Sequence, residues 1–461
     1  MAAGRVIIVG GGVSGLATAY FLSRAGIRSA IVEKSPRLGG LIQTEHIQGC
    51  ELEAGPDSFL AAKTAVTELA GELGELKERL IGSNDERRRI FVVRDGRLVA
   101  LPQGMVMIAP AEWGAVLRSD FFSKKTKLCF LAEVLRWPRG RARDISVEEF
   151  VRSHFGAEVL EYVAEPLLSG VYGGDSGKLS AISVLPRFVG YEERYGSLVR
   201  GVRGERGRKA DGSIFQSFRG GMRSLTDALW GAVNGSAGIV PQKALAIEAM
   251  RDGWRVLLAD GSREASDVVL ACPAHAAAKL CERAAPEMAR ELAAIPYSSA
   301  ILATLVWERS KVSHPMGGFG FLVPRAERRV ISAATWVGSK FPSRVPGELA
   351  AVRGFIVDPQ AAQLLGTPKK VVVQLVREEF ERLMGIAADP LFSAVHFWPD
   401  SMPQYVLGHE ARRANIKGLL RGLGGLHLVG NAYEGVGIPD CVRLAKETAK
   451  RISTRIGSQG G

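Results

Sequence analysis

Val6-Ile7-Ile8-Val9-Gly10-Gly11-Gly12-Val13-Ser14-Gly15 sets a glycine-rich turn between a strand-like and a helix-like run. Val6 to Val9 are apolar and mostly β-branched, as a buried parallel strand requires. Beyond the turn, Val13, Leu16, Ala17, Tyr20 and Phe21 recur at helical spacing. Gly10 suits a tight turn, Gly12 lets the backbone approach a pyrophosphate, and Gly15 lets the helix sit close to the sheet. The helix start offers free N–H groups and a positive dipole end to phosphates. A second strand, Ser29 to Val32, ends at Glu33, an acceptor for ribose hydroxyls that disfavours a 2′-phosphate.

Further turns follow. Arg37-Leu38-Gly39-Gly40-Leu41 and Glu53-Ala54-Gly55-Pro56-Asp57-Ser58 are glycine-bearing and close in sequence to the first. A nicotinamide dehydrogenase has no evident use for them, whereas a long, extended flavin dinucleotide does. Near the other end, residues 426–440 repeat the pattern of a strand, glycines and a helix through Gly430, Gly435, Val436, Gly437 and Ile438. Turns at both ends point to one dinucleotide, FAD, held from two sides.

Composition narrows the class. A chain of 461 residues, 46% hydrophobic, exceeds one ordinary core and predicts two or three lobes. The fold class expected is α/β: a Rossmann-like FAD-binding domain, a mixed α+β substrate domain, and a helical insertion that is a candidate membrane-facing segment. The expected division is 1–80, 211–285 and 411–461 for FAD, 81–210 for the helical insertion and 286–410 for the substrate sheet. A strand beginning this early predicts that no signal or transit peptide precedes it. No run approaches the roughly 18–20 apolar residues of a spanning helix. The five cysteines are scattered, without a CxxC pair, and the seven histidines form no ligand-like pair. Neither a disulfide framework nor a metal is therefore expected, and the cytoplasm is the expected compartment.

The formal charge of +12 implies an anionic partner. Basic runs occur at 87–89, 124–127 and 136–141, with no nucleic-acid module beside them, so no nucleic acid is expected. Met105, Val106, Met107, Ile108, Trp113, Phe121, Phe122, Phe130, Leu131 and Trp137 make 99–141 amphipathic, a candidate for peripheral contact with the anionic inner face of a membrane. Elsewhere the pattern predicts helices over 61–80 and much of 110–205, interrupted by a hairpin about Asp95-Gly96 and a break at 170–174. It predicts a mobile loop over 195–213 and strands over 238–247, 254–258 and 268–271. An antiparallel sheet with one wall open to a ligand is expected over 295–360, and helices over 371–384 and 441–456.

At these motifs the chain resembles the FAD-dependent protoporphyrinogen and coproporphyrinogen III oxidases, within the amine-oxidase-like flavoprotein superfamily. Residues 10–15, Glu33, 37–40 and Gly55-Pro56 are general to that superfamily. More specific are 318–324, 219–222, 403–409 and 434–441, with Leu101-Pro102, 121–124 and 170–174. The resemblance implies flavin contacts from Gly10, Gly11, Gly12, Val13, Ser14, Gly15, Glu33, Lys34, Leu41, Gly55, Pro56, Asp57 and Ser58. It adds Leu245 beside the adenine and Val436, Gly437 and Ile438 beside the isoalloxazine. It implies a non-covalent flavin, since Cys441 lies past the turn, and a porphyrinogen substrate touched by Arg89, Phe319 and Leu322. The implied reaction is a six-electron oxidation to the porphyrin in haem synthesis, with molecular oxygen as acceptor and peroxide released. No catalytic side chain is named, no metal is implied, and a second copy of the chain is a candidate partner. Coproporphyrinogen III and protoporphyrinogen IX both stay open. Two other readings remain: an oxidase of amines or carotenoids, for which Trp398 and Tyr433 would be the aromatic residues, and a non-catalytic FAD-binding assembly protein.

Overall fold

The computed structural model describes residues 6–138, 140, 143–205 and 212–459. The chain divides into two compact units, Met1–Ser83, Ser213–Pro296 and Ala411–Gly461 forming one, Asn84–Gly212 and Tyr297–Glu410 the other.

The first unit is organised on five parallel strands: β1 (Val6–Val9), β2 (Ser29–Val32), β3 (Ala237–Val240), β4 (Asp267–Leu270) and β5 (Leu426–Leu428). Their spatial order is β3-β2-β1-β4-β5, the doubly wound arrangement with β1 central. Every residue of β1, β2 and β4 is buried, as expected of strands covered on both faces. Helix α1 (Val13–Arg24) follows β1, and the closing helix α2 (Ile438–Gln459) packs against it. The expected strand over 238–247 is two strands in two sheets. β3 ends at Val240, and Ala246–Met250 starts a three-stranded antiparallel sheet with Gly253–Leu258 and Gly261–Ala265. Helices Ala274–Cys281 and Pro286–Ala293 were not foreseen.

The second unit is built on a seven-stranded sheet in the order Phe392–Pro403, Tyr297–Glu308, Leu349–Val357, Ala333–Trp336, Gly320–Leu322, Ile90–Arg94, Arg97–Ala100. The sheet is mixed, because Gly320–Leu322 pairs parallel with Ile90–Arg94. Its two long central strands are buried at nearly every position, so the alternation expected of an open wall is absent from them. Trp307, Trp336, Phe321, Val352 and Phe380 sit in this core. The hairpin about Asp95-Gly96 forms as expected.

Three helical expectations change. The break placed at 170–174 falls later, since Glu165–Tyr172 is helical and Gly173 terminates it in the left-handed region (φ 61°). The loop expected over 195–213 contains a helix, Leu198–Gly204, capped by Ser197 and anchored by buried Leu198, Val199 and Val202. Residues 206–211 of that expectation lie outside the described residues, as do Arg139, Arg141 and Ala142 of the basic segment. Among the described residues of 99–141, helix is confined to Trp113–Arg118 and Lys124–Glu133, and Ile108, Phe121, Phe122 and Phe130 are core residues. They are therefore removed from any surface role, while Leu128, Leu131, Leu135 and Trp137 stay exposed.

Candidate functional site

In the first unit, Gly12 is the N-cap of α1, in extended backbone (φ −74°, ψ −179°), and no side chain caps the helix. Its first N–H groups and positive dipole end therefore form an anion site. The neighbouring glycines have distinct reasons to be glycine. A Cβ on Gly15 would lie 2.0 Å from Gly10 O, and one on Gly10 (φ +114°) 2.7 Å from Ala271 O, so both serve close packing of main chain. A Cβ on Gly12 would meet nothing nearer than Gly40 Cα at 3.9 Å. Open space before that residue is where a pyrophosphate fits.

The other two turns dock on this one in series. The Gly39 N–H donates to Gly11 O (2.8 Å), and a Cβ on Gly40 would stand 3.2 Å from Gly12 Cα. A Cβ on Gly55 would lie 1.9 Å from Leu41 O. Residues 10–15, Leu41 and Gly55, Pro56, Asp57 and Ser58 are thus brought together by backbone contact. The Ser217 hydroxyl donates to Asp57 O (2.9 Å) and the Ser58 hydroxyl to Asp57 Oδ1 (2.7 Å). The Arg37 guanidinium, not singled out as a site residue from the sequence, fixes the second turn by donating to Leu38 O, Ile42 O and Gly40 O at 3.0, 3.0 and 2.7 Å. Burial, and then neighbouring Arg223, lowers its pKa.

Glu33 directly follows β2, where the carboxylate was expected. Its Oε2 accepts the Gly11 N–H and its Oε1 the Ser35 N–H, both at 2.7 Å. A carboxylate has about four acceptor sites, so two remain for ribose hydroxyls. Lys34 is exposed. Leu245 lies just before the Ala246–Met250 strand, 51% exposed, an apolar surface open to a planar ring.

Val436, Gly437 and Ile438 lead into α2. The first turn of that helix carries Asp440, whose carboxylate accepts from Lys63 Nζ (2.8 and 2.6 Å) and from the Gly437 N–H (3.3 Å). Sequence reasoning missed this pair, since 377 residues separate its members. Cys441 is buried beside the Ser14 hydroxyl, and burial pushes its thiol up to about 11. A protonated thiol is a poor nucleophile, which suits a flavin held without a covalent bond.

In the second unit, Arg89 is exposed at the start of Ile90–Arg94. The Phe319 N–H donates to Arg89 O (2.8 Å), and the Trp336 N–H donates to Phe319 O (2.9 Å). Gly318 makes this crossing possible, because a Cβ there would sit 2.5 Å from Arg89 O. Leu322 lies further along the same strand, half-buried and in register with Val92. Arg89 and Phe319 thus directly precede the paired strands Ile90–Arg94 and Gly320–Leu322, and Leu322 ends the second. Tyr433 is buried in the first unit, and Trp398 lies on the edge strand of the second. Among the described residues no three His, Cys, Asp or Glu side chains form a metal-binding group.

A doubly wound sheet whose central strand feeds an uncapped, glycine-lined helix start defines a dinucleotide-binding protein. The model of the flavin containing amine oxidoreductases matches residues 13–453. The coproporphyrinogen III oxidase of Bacillus subtilis is 29% identical, over 98% of this chain and 99% of its own. The protoporphyrinogen oxidase of Bos taurus is 31% identical, over 97% and 98%. A crystal structure from Exiguobacterium sp. 255-15, provisionally called a protoporphyrinogen oxidase, superposes with a TM-score of 0.88 at 30% identity, over 99% of this chain and 100% of that one. The chain belongs to the flavin-containing amine oxidoreductases, in the family of the protoporphyrinogen and coproporphyrinogen III oxidases; it is an FAD-dependent oxidoreductase.

Proposed function

We propose that this oxidoreductase converts a porphyrinogen to the porphyrin, removing six electrons in three two-electron turns. Bound FAD supplies the two-electron acceptor, with molecular oxygen as the final oxidant and peroxide as its product. The observation that carries the reading is the Arg89–Phe319 crossing. It ties an exposed guanidinium to a buried aromatic ring through one backbone hydrogen bond. That pairing suits an apolar macrocycle edged with carboxylates, since a guanidinium takes both oxygens of a propionate. The residues proposed to hold FAD are 10–15, Glu33, Lys34, Leu41, 55–58, Leu245 and 436–438. Their contribution is placement: the helix starts hold charge, the glycine turns admit main-chain contact, and the chain positions activated bridging carbons rather than supplying an acid or base.

Arg87, Arg88 and Arg89 are all exposed. Three adjacent cations favour coproporphyrinogen III, with four carboxylates, over protoporphyrinogen IX, with two. The test offers both porphyrinogens to the yellow holoenzyme in air and follows porphyrin fluorescence against a no-enzyme control. A flavin-dependent rise is expected, with the larger kcat/KM for coproporphyrinogen III. No rise from an FAD-replete protein would transfer the reading to an amine or carotenoid oxidase.

Peripheral membrane contact is proposed for helix Lys124–Glu133 and the short stretch from there to Trp137. Leu128, Leu131, Leu135 and Trp137 are 65, 46, 79 and 81% exposed, beside exposed Lys124 and Lys125. Apolar side chains flanked by lysines suit an anionic bilayer surface. No helix among the described residues is long and apolar enough to cross a membrane.

A further inference from the structure

Resting on the FAD assignment above, we propose that Lys63 sets the electrostatic potential around the start of α2, acting through Asp440, and thereby tunes how readily the flavin is reduced. Lys63 is on this view a positioning residue.

Asp440 stands in the first turn of α2 and its carboxylate folds back over the loop that precedes the helix. Oδ2 lies 3.3 Å from the Gly437 nitrogen and accepts its hydrogen. A Cβ on Gly435 (φ +119°) would meet Asp440 Cγ and Oδ2 at 2.5 Å, and one on Gly437 would meet Oδ2 at 3.0 Å. Residues 435–437 are therefore wrapped around this carboxylate. Its charge stabilises the helix start but cancels part of the positive potential there. That potential is what would favour negative charge on a reduced flavin.

Lys63 answers this conflict. It lies just beyond strand Phe59–Leu60, 377 residues from Asp440, and binds both carboxylate oxygens at 2.8 and 2.6 Å. The Asp440 side chain is only 12% exposed and that of Lys63 49%, so a solvated ammonium is brought onto a largely dehydrated acid. The neighbouring charges are already matched. Glu434 is paired with Lys417 and Arg443, and although burial opposes it, those cations hold its carboxyl below the usual range. The Cys441 thiol stays protonated, its pKa raised to about 11 by burial. Neutralising Asp440 is the step that restores the positive character of the helix start, and Lys63 performs it.

Removing the ammonium leaves a bare carboxylate and disfavours the electron-rich flavin; removing the carboxylate does the reverse. The experiment is spectroelectrochemical titration of FAD-loaded wild type, Lys63→Met, Lys63→Arg, Asp440→Asn and the Lys63→Met/Asp440→Asn double variant, with the FAD dissociation constant measured for each. Lys63→Met should make the two-electron reduction equilibrium at least tenfold less favourable, about 30 mV in midpoint potential. Asp440→Asn should shift it the other way, Lys63→Arg should stay near wild type, and the double variant should return toward it. Unchanged potentials in the single variants would overturn the proposal. So would shifts of one sign in both, which would mark loop disorder rather than charge. If Lys63→Met alone fails to fold, Asp440→Asn and the double variant still decide the sign. A wild-type protein that binds no FAD would instead sink the cofactor assignment beneath it.

Discussion

Around Gly12 the candidate cofactor site is made of main chain: three turns stacked on one another by contacts that leave no room for a side chain at Gly15 or Gly55 and little at Gly40. Around Arg89 the candidate substrate site is made of side chains, a guanidinium, a phenyl and a leucine borne at the ends of two paired strands. The first kind of site admits no Cβ at Gly15 or Gly55 without moving main chain, and Gly12 is the position with open space. The second can be edited residue by residue while the sheet beneath it stands. Specificity can therefore change in the second unit while cofactor chemistry stays fixed in the first.

The sharpest way to break this contrast is to separate two neighbouring glycines. Gly15→Ala drives a methyl into the Gly10 carbonyl and should destabilise the fold by about 3 kcal/mol or more. Gly12→Val places its Cβ in open space on an allowed backbone and loses a favourable N-cap residue, so the apoprotein should lose only about 1 kcal/mol. FAD affinity of that variant should fall about a hundredfold or more, near 3 kcal/mol. Thermal melts and the 450 nm absorbance per protein check both. Stoichiometric flavin in Gly12→Val would undo the assignment.

In the second unit, Arg89→Ala should raise KM for the porphyrinogen about tenfold, the cost of one charge-assisted hydrogen bond. Flavin absorbance and melting temperature should not move, because the crossing with Phe319 uses the Arg89 carbonyl rather than its side chain. Steady-state kinetics decide it, and an unchanged KM returns Arg89 to ordinary surface.

The smallest effect sharpens the first unit itself. Asp267, at the start of β4, is fully buried; burial opposes its charge, but hydrogen bonds from His427 and Arg455 hold its carboxyl below the usual 3.8. A depressed carboxylate contributes stability that is complete above pH 3.8 and is lost as the pH falls through its folded value. Arg455→Ala should cost about 2 kcal/mol at pH 7, and the gap from wild type should narrow in melts taken toward pH 3. A gap constant with pH would assign the loss to packing alone.

These differences also explain how much could be read in advance. Gly10, Gly15, Gly40 and Gly55 are visible because each sits where a positive φ or close approach of main chain disfavours other residues, and such constraints are written locally; Gly12 is read from its place in the motif, with open space beside it. The α/β class and its parallel sheet can be inferred from the same turns. The helix Leu198–Gly204 was hidden by its Gly and Arg content, although Ser197 supplied a cap signal. Pro399 and Asp400 disguised the edge strand Phe392–Pro403; its pairing with Tyr297–Glu308 is irregular and Asp400 takes a positive φ, features that edges accommodate. Lys63 and Asp440 could not be paired from sequence because only the folded sheet brings together segments so far apart.

The β3-β2-β1-β4-β5 sheet has an implication for biosynthesis. Its outer strand β5 and the helix α2 that packs on α1 lie about 420 residues after β1, and so are made that much later. At about 5–20 residues per second, the ribosome needs about 20–90 s to deliver them. Through that interval the nascent glycine turn has half its cradle and a raw sheet edge, a template for mispairing or a client for chaperones. A chain stopped before β5 should bind FAD weakly, because it lacks residues 436–438. Yellow colour is thus a built-in report that translation reached α2.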